Sequence, residues 1–190
     1  MSKPFNDEPV KTLVPKLLKK DGTLLDLRLR YIGDEGLREL CGMEELRDLR
    51  ELNLERNEIT GEGMKFLAAS KVITGLTALH LERNAVGDEG AKIIAQGANF
   101  SNLNFLNLWK NGIGPAGAGE LAQSLHLSNL NSLDLAQNKI GDAGAKALAE
   151  TLTLTNLKYL DVYGNGITAE GQNLLKNAEP FAKIPHLTVA

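Results

Sequence analysis

The chain is poor in the residues that most directly announce chemistry. Cys41 is the one cysteine among 190 residues, so no disulfide closes within the chain and an oxidising compartment is not indicated. Its three histidines, His80, His126 and His186, show no metal-ligand spacing. Ser132 has no histidine in its own or an adjacent strand register, and Cys41, near a helix end, reads as a packed thiol rather than a nucleophile. These absences predict no enzyme, no metal and no cofactor. A formal net charge of −3 is too small to suggest a nucleic acid or a membrane surface as partner. No apolar run approaches the ~20 residues that span a bilayer. The opening "MSKPFNDEPV" lacks a hydrophobic signal core. A cytoplasmic location is expected, with secretion by a route that needs no signal peptide left open. Aromatic residues make up 5% of the chain, so where they fall carries information.

What the chain has in abundance is repetition. Asn57, Asn84, Asn111, Asn138 and Asn165 follow one another at 27-residue steps. The same step links Leu52, Leu79, Leu106, Leu133 and Leu160, and also Leu54, Leu81, Leu108, Leu135 and Val162. Gly36, Gly63, Gly90, Gly117, Gly144 and Gly171 form a further column. Each unit reads L-x-x-L-x-L-x-x-N-x-I-x-x-x-G-x-x-x-L. Period-2 leucines predict a short strand with one buried face. The Asn stands where the chain leaves the strand and has an amide to satisfy turn backbone. The Gly opens a helix packed closely behind, as in "GAKALAETL" at 144–152. One strand and one helix cannot bury themselves, but stacked units share a continuous core.

These units resemble the leucine-rich-repeat family over about residues 22 to 190, and "GDEGAKIIA" and "GDAGAKALA" are similar to its helix-bearing subclass. That subclass includes ribonuclease inhibitor, the repeat domain of NOD-like receptors, the Ran GTPase-activating protein and the bacterial GALA proteins. The resemblance implies an α/β leucine-rich-repeat solenoid, a horseshoe with parallel strands on the concave face and helices on the convex face. It also implies a module that binds another protein. Two alternatives stay open: regulation of an enzyme by direct docking, of the GTPase-activator or nuclease-inhibitor type, and an architectural spacer in a larger protein.

The expected organisation is an N-terminal capping segment at 1–21, six repeats at 22–183, and a partial seventh repeat strand at 184–190. In the cap, Val10, Leu13, Val14, Leu17 and Leu18 share one helical face, and Pro15 predicts a helix that starts near it or kinks there. The final strand is an edge that Pro185 or the terminus would blunt, unless the chain continues a longer array.

"GIGPAG", residues 112–117, matches the G-x-G-x-x-G fingerprint between a strand and a helix, and Asp134 lies near where a ribose-binding acid would be sought. The repeat undoes this reading. Gly117 belongs to the six-unit column, and Gly114 aligns with Gly33, Gly87 and Gly141. Their expected role is packing.

With the leucines inward, alternate residues face out. Phe105 and Trp109 of unit four then face Tyr159 and Tyr163 of unit six across Ser132 and Ala136 of unit five. The centre column runs Asn107, Asp134, Asp161, and Lys110 begins a basic flank with Arg83 and Arg56 beyond. The walls should stand roughly 10 Å apart. The expected site is therefore a partner-binding slot: Phe105, Asn107, Trp109, Lys110, Ser132, Asp134, Ala136, Tyr159, Asp161 and Tyr163. Its partner would be another protein presenting a basic or aromatic side chain. Asn107 is expected to face water, with little effect on stability. Glu55, Arg56, Glu82 and Arg83 are expected to form a mutually paired, solvated face.

Overall fold

Period-2 leucines produce strands of three residues each in the computed structural model, which describes residues 8–182 and 184–189. Residues 1–7 of the expected capping segment lie outside the described residues, as do residue 183 and, in the expected seventh-repeat strand, Ala190. The strands are β1 (Leu24–Asp26), β2 (Glu51–Asn53), β3 (Ala78–His80), β4 (Phe105–Asn107), β5 (Ser132–Asp134), β6 (Tyr159–Asp161) and β7 (His186–Thr188). They form one parallel sheet in chain order. Each residue pairs with its equivalent one unit on, as Leu79 with Leu106 and Leu106 with Leu133.

The helices are α1 (Val10–Leu17), α2 (Gly33–Leu40), α3 (Gly61–Ala69), α4 (Gly87–Gln96), α5 (Pro115–Ala122), α6 (Gly141–Ala149) and α7 (Ala169–Asn177). They pack behind the sheet, each against the next. Helices are about twice as wide as the ~4.8 Å strand spacing. A strand row and a helix row of equal number therefore curve, with the strands inside. No helix among the described residues is long and apolar enough to cross a membrane.

The inner leucine columns are sealed. Leu25, Leu52, Leu79, Leu106, Leu133 and Leu160 are fully buried, as are Leu27, Leu54, Leu81, Leu108, Leu135 and Val162. Truncating one to alanine should cost about 2–5 kcal/mol. At the N-terminal end, Val10, Leu13 and Val14 of α1 are buried against this core. The chain then bridges Leu18 to Leu25 in antiparallel sense, with Lys19 N–H donating to Leu24 O at 2.9 Å. That contact covers the edge of β1. Pro15 lies inside α1 rather than at its start. The helix tolerates it because the forfeited bond is to the carbonyl of Lys11, an exposed residue.

The asparagine column is a hydrogen-bonded spine. Asn111 Nδ2 donates to Leu81 O at 2.8 Å and to Trp109 O at 3.2 Å, and its Oδ1 accepts from Val86 N–H at 3.3 Å. Asn138 Oδ1 accepts from both Asn111 N–H and Ile113 N–H, at 2.9 and 3.0 Å. Each amide thus satisfies the backbone of its own turn and of the unit before it.

A second order lies over the 27-residue repeat, because alternate units begin their helices differently. In units one, three and five, Gly33, Gly87 and Gly141 open the helix at φ 62°, 61° and 58°, and an aspartate follows. That aspartate caps the next unit's helix. Asp34 accepts from Thr60 N–H at 2.8 Å and Thr60 Oγ1–H at 2.6 Å. Asp142 accepts from Thr168 in the same way, at 2.8 Å for both bonds. Gly114 therefore departs from the column in which the sequence places it. It is an extended N-cap at φ −99°, the counterpart of Thr60 and Thr168.

Candidate functional site

The left-handed turn after each strand decides what the sheet face displays. Trp109 is not on a strand but in that turn. The ladder nevertheless runs past β4, with Leu108 N–H donating to Asp134 O at 2.8 Å and Lys110 N–H to Ala136 O at 2.9 Å. A regular parallel ladder would next pair Trp109 N–H with Leu81 O. Asn111 has taken Leu81 O, and Asn107 Oδ1 accepts from Trp109 N–H instead, at 2.9 Å. The same exchange recurs at Asp134 with Ala136 N–H, at 2.9 Å, and at Asp161 with Tyr163 N–H, at 2.8 Å. Asn107 is therefore not an idle solvent-facing residue. It supplies the acceptor that the asparagine spine removes.

The expected site residues come together in register. Phe105 pairs with Ser132 and Ser132 with Tyr159; Asn107 pairs with Asp134 and Asp134 with Asp161. Phe105, Trp109, Tyr159 and Ser132 are half-buried, Tyr163 is 50% exposed and Ala136 is 6% exposed. The floor under Trp109 and Tyr163 is thus closely covered, and the part beside Ser132 is more open. Three of the rings rest on neighbours outside the slot. Phe105 lies 4.7 Å from the His80 ring, Tyr159 lies 6.3 Å from His186, and the Arg83 guanidinium sits 4.7 Å from the Trp109 ring centre. Each of these rings thus already has a neighbour outside the slot, and the Arg83 cation stands over Trp109.

The centre of the slot is electrostatically costly. Burial pushes the Asp134 carboxyl up to about 6, and repulsion from Asp161 and Glu82 adds to this against the Ala136 N–H bond. Burial, followed by the charges of Asp134 and Asp161, also raises the Tyr159 phenol, whose OH donates to Asp161 Oδ2 at 3.3 Å. No ion pair joins Asp134 to a cation among the described residues.

The charged face of units two and three is organised differently from expectation. No ion pair joins Glu55, Arg56, Glu82 and Arg83 to one another among the described residues. Long side chains on adjacent turns reach past their neighbours. Glu82 faces His80 Nδ1 at 3.6 Å, Glu51 meets His80 Nε2 at 3.0 Å, and Arg83 lies on Trp109. Burial would lower the His80 pKa, but Glu82 and Glu51 outweigh it and raise it. Sequence reasoning missed this hub; its one visible signal is a histidine flanked by glutamates on β2 and in its own turn.

The glycine fingerprint is a helix-capping site. Asp88 Oδ1 accepts from Gly114 N–H at 2.6 Å and Gly117 N–H at 3.0 Å. Those are the donors a bound phosphate would require, and the chain's own carboxylate holds them. Cys41 caps the C-terminus of α2, and burial pushes its thiol up to about 12, which keeps it protonated. His126 is half-buried and shares a 2.9 Å bond between Nδ1 and Ser101 Oγ.

Four stretches, residues 45–68, 74–95, 126–149 and 153–171, match the family model described as Leucine Rich repeat. The chain is similar to the leucine-rich-repeat ectodomain of the Arabidopsis receptor kinase HAESA, solved in complex with an N-terminally extended IDA peptide hormone. Identity is 21% and the TM-score 0.53, over 87% of this chain and 25% of that one. An internalin from Listeria monocytogenes is 22% identical, with a TM-score of 0.41, over 77% of this chain and 48% of that one. This chain thus spans a quarter of the first neighbour and about half of the second. No curated protein sequence matches it. Together, the parallel seven-stranded sheet, its helices and the first neighbour define an α/β leucine-rich-repeat solenoid. The four matched stretches support the family that the sequence resembles.

Proposed function

We propose that this chain is a protein-interaction module of the helix-bearing subclass, binding a partner segment on its concave sheet face over unit five. The observation that carries this reading is the arrangement in register of four of the chain's nine aromatic residues around Ser132, Ala136 and a repelled aspartate pair. Half-exposed aromatics beside charge are the usual anchors of protein interfaces. A Lys or Arg from the partner would relieve the Asp134–Asp161 repulsion while its stem packs against the rings. The HAESA ectodomain, solved in complex with a peptide hormone, shares this architecture, which supports a protein or peptide segment as the ligand.

The test is a random-peptide display selection on the immobilised chain, with selected peptides measured by fluorescence anisotropy. Binders should be enriched in basic and aromatic residues. Trp109→Ala should weaken them by about 2 kcal/mol, roughly 30-fold, and leave thermal unfolding nearly unchanged. Ser132→Trp should block binding by filling the open part of the floor. Wild-type binding by both variants would remove the slot as the site.

A further inference from the structure

A groove of about 430 Å³ opens at the strand-exit rim, lined by Tyr31, Arg56, Glu58, Thr60 and Arg83 among others. We propose that it is a carboxylate site, taking an Asp or Glu side chain from the partner segment that crosses the sheet. This rests on the reading that the sheet face binds a protein segment and adds a second, oppositely charged contact to it.

Three cations stand in one row along the rim. Arg56, Arg83 and Lys110 occupy the same position of consecutive units, their N–H groups donating to Glu82 O, Trp109 O and Ala136 O at 2.9, 2.8 and 2.9 Å. None of the three is joined to a carboxylate by an ion pair among the described residues. In contrast, Arg28, in the row just before, is held by Asp26 at 2.7 Å. Arg83 is also fixed in place, its guanidinium laid on Trp109. A cation–π contact takes none of the guanidinium N–H groups from a bidentate acceptor.

The backbone at this row gives no reason for the cations. Arg56, Arg83 and Lys110 have φ of 53°, 55° and 55°, and Gly164 fills the equivalent place in unit six at 70°. The turn accepts glycine without strain, so long basic side chains are not what the turn requires.

Charge counting sets the ligand's scale. The groove is lined by two arginines and one acidic residue, Glu58, which no ion pair joins to either arginine among the described residues. One net positive charge suits a single carboxylate. A polyanion such as a nucleic acid would also meet Glu51, Glu55 and Glu82 on the neighbouring turns and strand, where repulsion opposes it. A peptide can place an acidic residue on the rim and a basic residue at Asp134 and Asp161.

The experiment uses the display-selected peptides as probes. Selected sequences should carry an Asp or Glu in addition to the basic residue. Arg56→Gly should weaken such peptides at least tenfold, as should Arg83→Gly, and 0.5 M salt should do the same to the wild type. Glycine suits the left-handed turn, so both variants should melt at or above the wild-type temperature. Changing the peptide's Glu to Gln should abolish the effect of Arg56→Gly, which a merely structural role for the arginine would not do. The proposal is overturned if binders lack acidic residues, if no binder emerges, or if a phosphoserine peptide binds where its glutamate counterpart does not. Should Trp109→Ala abolish binding while both arginine variants bind normally, the slot stands and the carboxylate site falls. The opposite pattern keeps the carboxylate site and removes the slot.

Discussion

The exchange between the asparagine spine and the outward column makes a prediction that separates two asparagines four residues apart. Asn111 is 1% exposed. Asn111→Ala strips Val86 N–H of its side-chain partner, bonded at 3.3 Å, and takes one of two donors from Leu81 O, the 2.8 Å bond, leaving the Asn84 Nδ2 bond at 2.9 Å. A buried group left unsatisfied costs about 1–3 kcal/mol and a lost hydrogen bond about 1 kcal/mol; the long Val86 bond belongs at the low end, so a loss of about 2 kcal/mol is expected. Asn107→Ala frees only Trp109 N–H, bonded at 2.9 Å, in a half-exposed place that water reaches; about 1 kcal/mol is expected. The two effects should not add. With Asn111 gone, Leu81 O keeps the Asn84 Nδ2 bond at 2.9 Å but has room for a second donor, and the Trp109 N–H freed by Asn107→Ala is the donor a regular ladder would bring to it. The double variant should therefore be less destabilised than the sum of the singles by about 0.5–1 kcal/mol. Urea unfolding at 25 °C, followed by circular dichroism and by Trp109 fluorescence, measures all three variants. Equal losses for the singles, or strict additivity, would refute the exchange.

Two further outcomes concern the slot and the glycine fingerprint. Because the folded-state Asp134 pKa is raised from the ordinary 3.8 to about 6, the folded form binds the proton more tightly than the unfolded one. Its contribution is most favourable below pH 4 and is lost as pH rises through that window. Asp134→Asn keeps the turn bond that Asn107 makes in its own unit. It should flatten stability between pH 4 and 6 and add about 1–2 kcal/mol at pH 7, after discounting for solvent exposure; thermal melts across pH 4–8 against wild type check this. Gly117→Ala would place a Cβ 2.6 Å from Asp88 Oδ1 and 2.9 Å from Ile113 Cγ2, and should cost about 2 kcal/mol in urea unfolding.

Much of this molecule is legible in one dimension because its contacts repeat at a fixed step. Side chains alternate across a strand, so the leucine columns identify the inner face. The 27-residue step then brings Phe105, Ser132 and Tyr159 side by side without further information. The asparagine column is readable for the same reason, since an amide at the strand exit has only turn backbone to bond.

What a fixed step does not carry is the choice each side chain makes among neighbours at similar distance. Phe105 lies against His80 rather than toward Tyr159, Arg83 covers Trp109 rather than pairing with a glutamate, and Glu82 turns to His80. Nor does it show that Asp88 fills the α5 N-terminus, which turns an apparent phosphate loop into a cap. These outcomes depend on rotamers, burial and the lateral distance between turns, quantities that exist only once the units are stacked. The sequence by itself therefore determined the solenoid, its inner and outer faces and the residues displayed together. The tertiary structure decided their pairings and charges, because only the stacked units set which groups lose water and which partner lies within reach.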